Sequence, residues 1–344
     1  MITKGRSVPA LMDVARRAGV GAATVSRVIN GGENVSSKTL AAVQKAIKEL
    51  GYHPNQAARS LKGAPTKTIG LIVPSVADPF FSAAAAAIQE VAHAHGTLVL
   101  LAASDNSPSR EQEQITTFIQ RRIDGLILAP SDAANAGILT HAGFPTVCFD
   151  RPFPGDSLPT VLGDNYGGAK AATEHLVRSG YKRILCMGGD KQLFTSQKRV
   201  RGHRDVVRAA GLDYMAELNV QDYSSAEEAI QRHLRGENGM DAIFSIKNAI
   251  TVNAYRILRK LGISIPGSVA LIGYDDFELA DALEPPISVV RQPVVSIATS
   301  AACMLFEALR TGEQKRQNVI LKVELVHRGS CGELRVAKDT VGSR

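Results

Sequence analysis

The 344-residue sequence predicts an α/β protein preceded by a separate, all-α module. Three observations predict it. From residue 67 onward, short apolar runs alternate with helical stretches, as parallel sheets with helices on both faces require. The first 66 residues show helical periodicity alone. Those same residues hold ten Lys and Arg against three acids, while the remainder balances at 30 of each, so the whole net charge of +7 sits in the first fifth of the chain.

Taken in order, Leu11, Val14, Ala15 and Ala18 recur at i, i+3, i+4 and i+7, one face of a first helix. Gly19-Val20-Gly21 allows only a tight corner. In the second helix Val25, Val28 and Ile29 make the apolar side, while Ala23, Arg27 and Asn30 share the other. Ser36 is placed to cap a third helix lined by Leu40, Val43, Ile47 and Leu50, and Gly51 to end it. Helices joined by such a turn form a helix-turn-helix unit. Concentrated positive charge suits phosphate backbones, because each neutralised phosphate releases counterions. Thr24, Ser26 and Arg27 can reach phosphates or base edges from a helix in the major groove. Ala22 and Ala23 come first on that helix and can touch only a thymine methyl. A small bundle with no DNA role is the alternative. A basic solubilising tail would carry the same charge but not the apolar periodicity.

Residues 53–65, HPNQAARSLKGAP, fit a short helix between Pro54 and Gly63, marginal by itself in water. Leu61, flanked by Arg59 and Lys62, is either a wedge for a minor-groove base step or a linker residue resting on the next domain.

Strand-like runs follow at Ile69–Val73, Leu98–Ala102, Gly125–Ala129, Thr146–Phe149, Arg183–Met187, Ala242–Ser245 and Val269–Gly273. Polar residues come just after several of them: Asp78, Ser104-Asp105, Asp150-Arg151, Lys247-Asn248 and Asp275-Asp276. Crevices in open parallel sheets lie at that carboxyl edge, so their convergence marks a ligand site, although any one of them is equally explained as a helix cap. No enzyme is expected. GVGAAT lacks a preceding strand and a third glycine, and no Walker loop, GxSxG or HExxH occurs. Asp275-Asp276 is a poor acid/base pair because adjacent residues diverge. No cofactor or metal is expected either: Cys148, Cys186, Cys303 and Cys331 have no ligand spacing and read as reduced core thiols, and His93 and His95 face different sides of a helix. No apolar run approaches the roughly 18 residues that cross a bilayer, and no secretory signal is seen, so a cytoplasmic protein without a membrane partner is expected.

Together these residues resemble the lactose-repressor/galactose-repressor family of bacterial transcription regulators over residues 10–332. DVARRAGVGAATVSRVIN is similar to the family's helix-turn-helix, ELGYHPNQAARSLKG to its third helix and hinge, and TIGLIVPSVADPFF to its first core strand. DGLILAPS, CFDRP, DNYGGAKAATEHLVRSGYKRI, RVRGH, ALIGYDDFELA and PPISVVRQP match later blocks in order. The resemblance implies a headpiece over 1–54, a hinge helix and linker over 55–66, a core over 67–333 and a polar tail over 334–344. The core would resemble periplasmic sugar-binding proteins: two doubly wound subdomains with crossovers near 163, 290 and 322. It also implies a homodimer on operator DNA, with further contacts from Asn55, Ala58, Leu61 and Lys62. Effector contacts would come from Asp78, Phe80, Asp150, Arg199, Asn248, Asp275 and Gln292.

Two departures stand out. Gly21 replaces a capping Ser or Thr, at a cost of a few tenths of a kcal/mol. Lys247-Asn248 replaces an Asn-Asp pair, exchanging an acidic acceptor for a cation. With Arg199 nearby, this favours a sugar acid or sugar phosphate over a neutral sugar. A purine-type effector and a core with no working effector site are the alternatives within the family, and a free sugar-binding transport protein is the rival outside it. ELRVAKDTVGSR has no heptad pattern, so no tetramerising coiled coil is expected.

Overall fold

The computed structural model describes residues 9–29, 31, 35–53, 65–131, 135–153, 157–235 and 239–332. The expected hinge helix with Asn55, Ala58, Leu61 and Lys62, together with Asn30 and the tail, lies outside the described residues. The chain divides into two compact units, Met1–Thr66 and Lys67–Arg344.

In the first unit α1 spans Leu11–Ala18, α2 Ala22–Ile29 and α3 Ser37–Leu50. Gly19 ends α1 at φ 66°, a left-handed conformation that glycine adopts without strain, and this turns the chain into α2. The Ser36 hydroxyl accepts the Thr39 N–H at 3.2 Å to start α3, and Gly51 at φ 60° ends it. Val14, Ala15, Val25, Val28, Val43, Ala46 and Tyr52 form the core, so each helix contributes the apolar stripe that its periodicity marked.

The second unit holds two six-stranded sheets. The first contains β1 (Thr68–Val73), β2 (Leu98–Ala103), β3 (Gly125–Leu128), β4 (Thr146–Phe149), β5 (Thr160–Gly163) and β11 (Asn318–Leu321), in the order β11-β5-β4-β3-β1-β2 and all parallel. The second contains β6 (Ile184–Met187), β7 (Met215–Glu217), β8 (Ala242–Ser245), β9 (Ala270–Tyr274), β10 (Ser288–Arg291) and β12 (Glu324–Val326), in the order β12-β10-β9-β8-β6-β7. The intervening helices are α4 (Pro79–Ala94), α5 (Pro108–Gln120), α6 (Ala136–Thr140), α7 (Asn165–Arg178), α8 (Phe194–Ala209), α9 (Tyr223–Leu234), α10 (Asn248–Lys260) and α11 (Val294–Thr311).

The central strands of both sheets are buried on two faces, which is why they read as near-continuous apolar runs. Ile69, Leu71, Val73, Ile127, Val147 and Phe149 point toward α4 and α11. Ile72, Leu126, Leu128 and Cys148 point to the other face with Ile115 and Phe118 of α5. Gly70 leaves room there, since a Cβ would stand 2.6 Å from the Phe118 ring. The second sheet repeats the scheme, with Leu185, Met187, Ile243, Leu271 and Val289 on one face and Cys186, Phe244, Ile272, Tyr274 and Val290 on the other. Each fully buried Ile or Leu contributes about 2 kcal/mol by removal from water.

The chain passes between the sheets three times: after β5, after β10 and between β11 and β12. The carboxyl ends of the parallel strands of both sheets face the same crevice. β11 therefore ends there, and the two-residue link Lys322-Val323 makes β12 run away from it, antiparallel to β10. That edge strand is the exception to the parallel sheets expected.

Two other expectations need correction. Cys303 is exposed on α11, whereas Cys148, Cys186 and Cys331 are buried. Burial pushes the Cys186 thiol up to about 12. Val294–Thr311 is, among the described residues, a helix long and apolar enough to cross a membrane. Its Ile297, Ala298, Ala301, Ala302 and Leu305 are fully buried against the first sheet, so its apolar content serves the core.

Candidate functional site

Two sites emerge, one in each unit. On α2, Val25 and Val28 are buried, Ala23 and Arg27 are exposed, and Ala22, Thr24 and Ser26 are half-buried. The helix thus presents Ala23 and Arg27 on the side away from its core, with Ala22, Thr24 and Ser26 along its flanks. The Gly21 carbonyl accepts the N–H groups of Thr24 at 2.9 Å and Val25 at 3.2 Å, so the backbone starts the helix where a side-chain cap is missing.

The second site is a cavity of about 300 Å³ between the two sheets. Asp78, Phe80, Asp150, Arg199, Lys247, Asp275 and Gln292 all line it. Its volume suits a small ligand.

The first sheet supplies Asp78, Phe80 and Asp150. Asp78 caps α4, accepting the Phe80 N–H at 3.0 Å. Burial raises the pKa of its carboxyl above the ordinary 3.8, the cap bond to Phe80 pulls it back, Asp275 raises it and Lys247 lowers it. The rings of Phe80 and Phe81 pack edge to face at 5.0 Å. Asp150 follows β4 at φ 63° and is buried beside Arg151, whose Nε donates at 3.1 Å. Burial raises the Asp150 pKa, opposed first by Arg151 and then by Arg199. The Arg151 Nη1 also donates to Asn106 Oδ1 at 2.7 Å, which brings the loop after β2 into the wall.

The second sheet supplies the rest. Arg199, 6 % exposed, projects from α8 into a fixed frame. Its Nε donates to Asn165 Oδ1 and its Nη1 to the Ile246 carbonyl, both at 2.7 Å, and Nη1 lies 3.3 Å from Asp275 Oδ2. The guanidinium stacks 3.6 Å from the Tyr274 ring centre. Burial opposes its charge, but Asp275, Tyr274 and Asp150 more than offset this and hold it protonated. Asp275, at φ 70°, also accepts from Gln292 Nε2 at 2.7 Å. Lys247 stands exposed at the N-cap of α10. Its ammonium makes no ion pair among the described residues.

Some expected residues fall elsewhere. Asn248 is buried in the first turn of α10 and does not line the cavity, although Ala249 and Ile250 do. Asp276 turns away from Asp275 to bind Arg291 at 2.6 Å and Arg328 at 2.8 Å, so the two carboxylates diverge as adjacent residues should. Ser104 is buried against Ser131, and Asp105 pairs with Arg110. Ser75, Asn106, Asp190 and Ser196 line the cavity without having been singled out by the sequence. Ser75, Asn106 and Asp190 sit in loops where the only available signal was a polar residue after a strand, and Ser196 lies in the first turn of α8.

Comparison with known proteins covers both units. Residues 10–55 match the bacterial regulatory proteins of the lacI family, and residues 66–328 the periplasmic binding proteins and sugar binding domain of the LacI family. The chain is 32% identical to the HTH-type transcriptional regulator CelR of Thermobifida fusca, over 94% of this chain and 99% of that protein. It is 31% identical to the ribose operon repressor of Escherichia coli K12, over 93% and 99%. Among solved structures, a lac repressor dimer bound to operator and an anti-inducer superposes with a TM-score of 0.84 at 25% identity, covering 94% of this chain and 99% of that one. A complex of CelR with cellobiose gives 0.70 at 31% identity, over 94% and 99%. With a basic helix-turn-helix at one end and a ligand cleft between two sheets at the other, the chain belongs to the lacI family of DNA-binding transcriptional regulators.

Proposed function

We propose that this regulator is a homodimeric, cytoplasmic repressor whose operator affinity is set by a sugar acid or sugar phosphate bound between its two sheets. Lys247 carries this reading. Among the described residues the cleft's other cations are engaged, Arg151 by Asp150 and Arg199 by Asp275, which leaves the Lys247 ammonium open to a ligand's anionic group. Asp78, Asp150 and Gln292 then serve the hydroxyls, and Phe80 offers its ring to the sugar's apolar face. On α2, Ala22, Ala23, Thr24, Ser26 and Arg27 meet the major groove. The dimer is supported by edge strand β2, where Leu98 is 62% and Leu101 42% exposed, and by the dimeric lac repressor neighbour.

A neutral sugar is the second reading. Asp78 and Asp190 add carboxylates to the same cleft, and the CelR structure holds cellobiose, a neutral sugar.

The test is calorimetric titration of matched neutral and acidic sugars and of purines into the wild type and Lys247→Ala. An acidic ligand should bind the wild type and lose at least tenfold in affinity in the variant, about 1.4 kcal/mol. A neutral sugar or a purine that binds both proteins equally would refute the anionic reading and leave the regulator intact.

A further inference from the structure

Away from the cleft, beside the start of β10, three potential metal ligands from distant parts of the second unit converge. His175 lies in the last turns of α7, His327 just after β12, and Cys331 in the short turn Gly329–Cys331. One ligand atom from each lies within 4.8 Å of the other two. The imidazoles of His175 and His327 stand 4.4 Å apart, centre to centre. Nothing in the DNA-binding or effector reading uses these residues.

The surroundings resemble those of a ligand set more than those of a chance encounter. Cys331 is 1% exposed, and the Ser288 hydroxyl donates to its sulfur at 3.0 Å, a contact that steadies a thiolate. The turn that carries it is held from below, because the Ser330 hydroxyl donates to the Leu271 carbonyl at 2.6 Å and accepts the Ser288 N–H at 2.8 Å. His175 is 3% exposed, with Ser179 Oγ at 3.4 Å from its Nε2. Two of the three ligands are therefore fixed and buried. His327 is exposed, so its ring can rotate inward.

We propose that His175, His327 and Cys331 bind a borderline-soft divalent cation of the zinc class, with a fourth position open to solvent. One thiolate and two imidazoles match that class, and bonds of about 2.0–2.3 Å place tetrahedral ligand atoms about 3.5 Å apart, a small contraction from the present spacing. On binding, Cys331 gives its proton to solvent and both histidines ligate as neutral rings. The cation would fasten the end of α7 to the segment after β12, closing the base of this subdomain. The proposal does not depend on the effector's identity.

The test uses cobalt as a spectroscopic stand-in, on the untagged full chain carrying Cys303→Ser to remove the exposed thiol. One equivalent of cobalt should produce a thiolate-to-metal charge-transfer band in the near ultraviolet and tetrahedral visible bands, and zinc should displace both. Adding His327→Ala or Cys331→Ser should abolish the charge-transfer band and the rise in melting temperature that zinc gives the parent. His327 is exposed, so its variant keeps the fold and the outcome stays readable. The proposal falls if the parent shows no band at saturating cobalt, or if the band survives in both variants.

Discussion

His203 is fully buried on α8, hydrogen-bonded to Thr173 through Nδ1 at 3.2 Å and stacked near the Phe244 ring. Its Nε2 has no partner among the described residues, so a proton there would be a buried charge with nothing to meet it. Burial lowers its pKa from the ordinary 6.5 to about 4. The neutral ring's contribution is therefore complete above about 6.5 and is lost as the pH falls toward 4, because only the unfolded chain takes the proton easily. The wild type should lose on the order of 3 kcal/mol more than His203→Leu over that range, measured by urea denaturation at each pH. Equal losses in the two proteins would exonerate His203. The cleft residues were unequally legible at this scale. Asp78, Asp150 and Asp275 follow apolar runs, so strand ends alone point to them. Arg199 lies within a helix that carries no local signal, and only the family resemblance found it. Asn248 and Lys247 part at the helix start: Lys247 is the extended N-cap of α10 and lines the cleft, whereas Asn248 is the first helical residue and is buried outside the cavity lining.

Among the elements, α7 and α8 carry the most consequence for the site. A Cβ at Gly202 would stand 2.5 Å from the Tyr166 carbonyl oxygen and 3.0 Å from the Ala169 side chain. That glycine lets the two helices approach closely, and the approach brings Arg199 of α8 onto Asn165 of α7. Gly202→Ala should cost about 1–3 kcal/mol by overpacking backbone that cannot move aside. It should also weaken effector binding, because Arg199 loses its register against Asn165. Unchanged stability and unchanged effector affinity in this variant would show that the helices adjust freely. The short elements explain most of what the sequence left unread. β7 and β12 have three residues each, too few for a period to register. The reversed direction of β12 follows from a link of two residues, which is a property of the connection and not of the strand.

Across the whole molecule, charge and chemistry are segregated: all the net charge lies in residues 1–66, and the ligand cleft lies in the other unit. Operator affinity should accordingly fall steeply with added salt, while effector affinity measured without DNA should depend on salt far less. Linkage adds a quantitative demand. Whatever factor the effector applies to operator affinity, operator must apply to effector affinity, and anisotropy and calorimetric titrations on one preparation can compare the two. Unequal factors would mean that a further binding equilibrium is involved.

The three passages of the chain between the sheets also impose an order on its birth. The first sheet is begun by residues 68–163, but it receives its last strand and one covering helix only from residues 294–321. As the chain leaves the ribosome, Ile69, Leu71, Val147 and Phe149 must wait for α11 while five of the six strands of the second sheet are synthesised. At about 5–20 residues per second, roughly 150 intervening residues take on the order of 10–30 s. For that interval the nascent chain displays an apolar sheet face covered by α4 alone, a surface for a chaperone to hold.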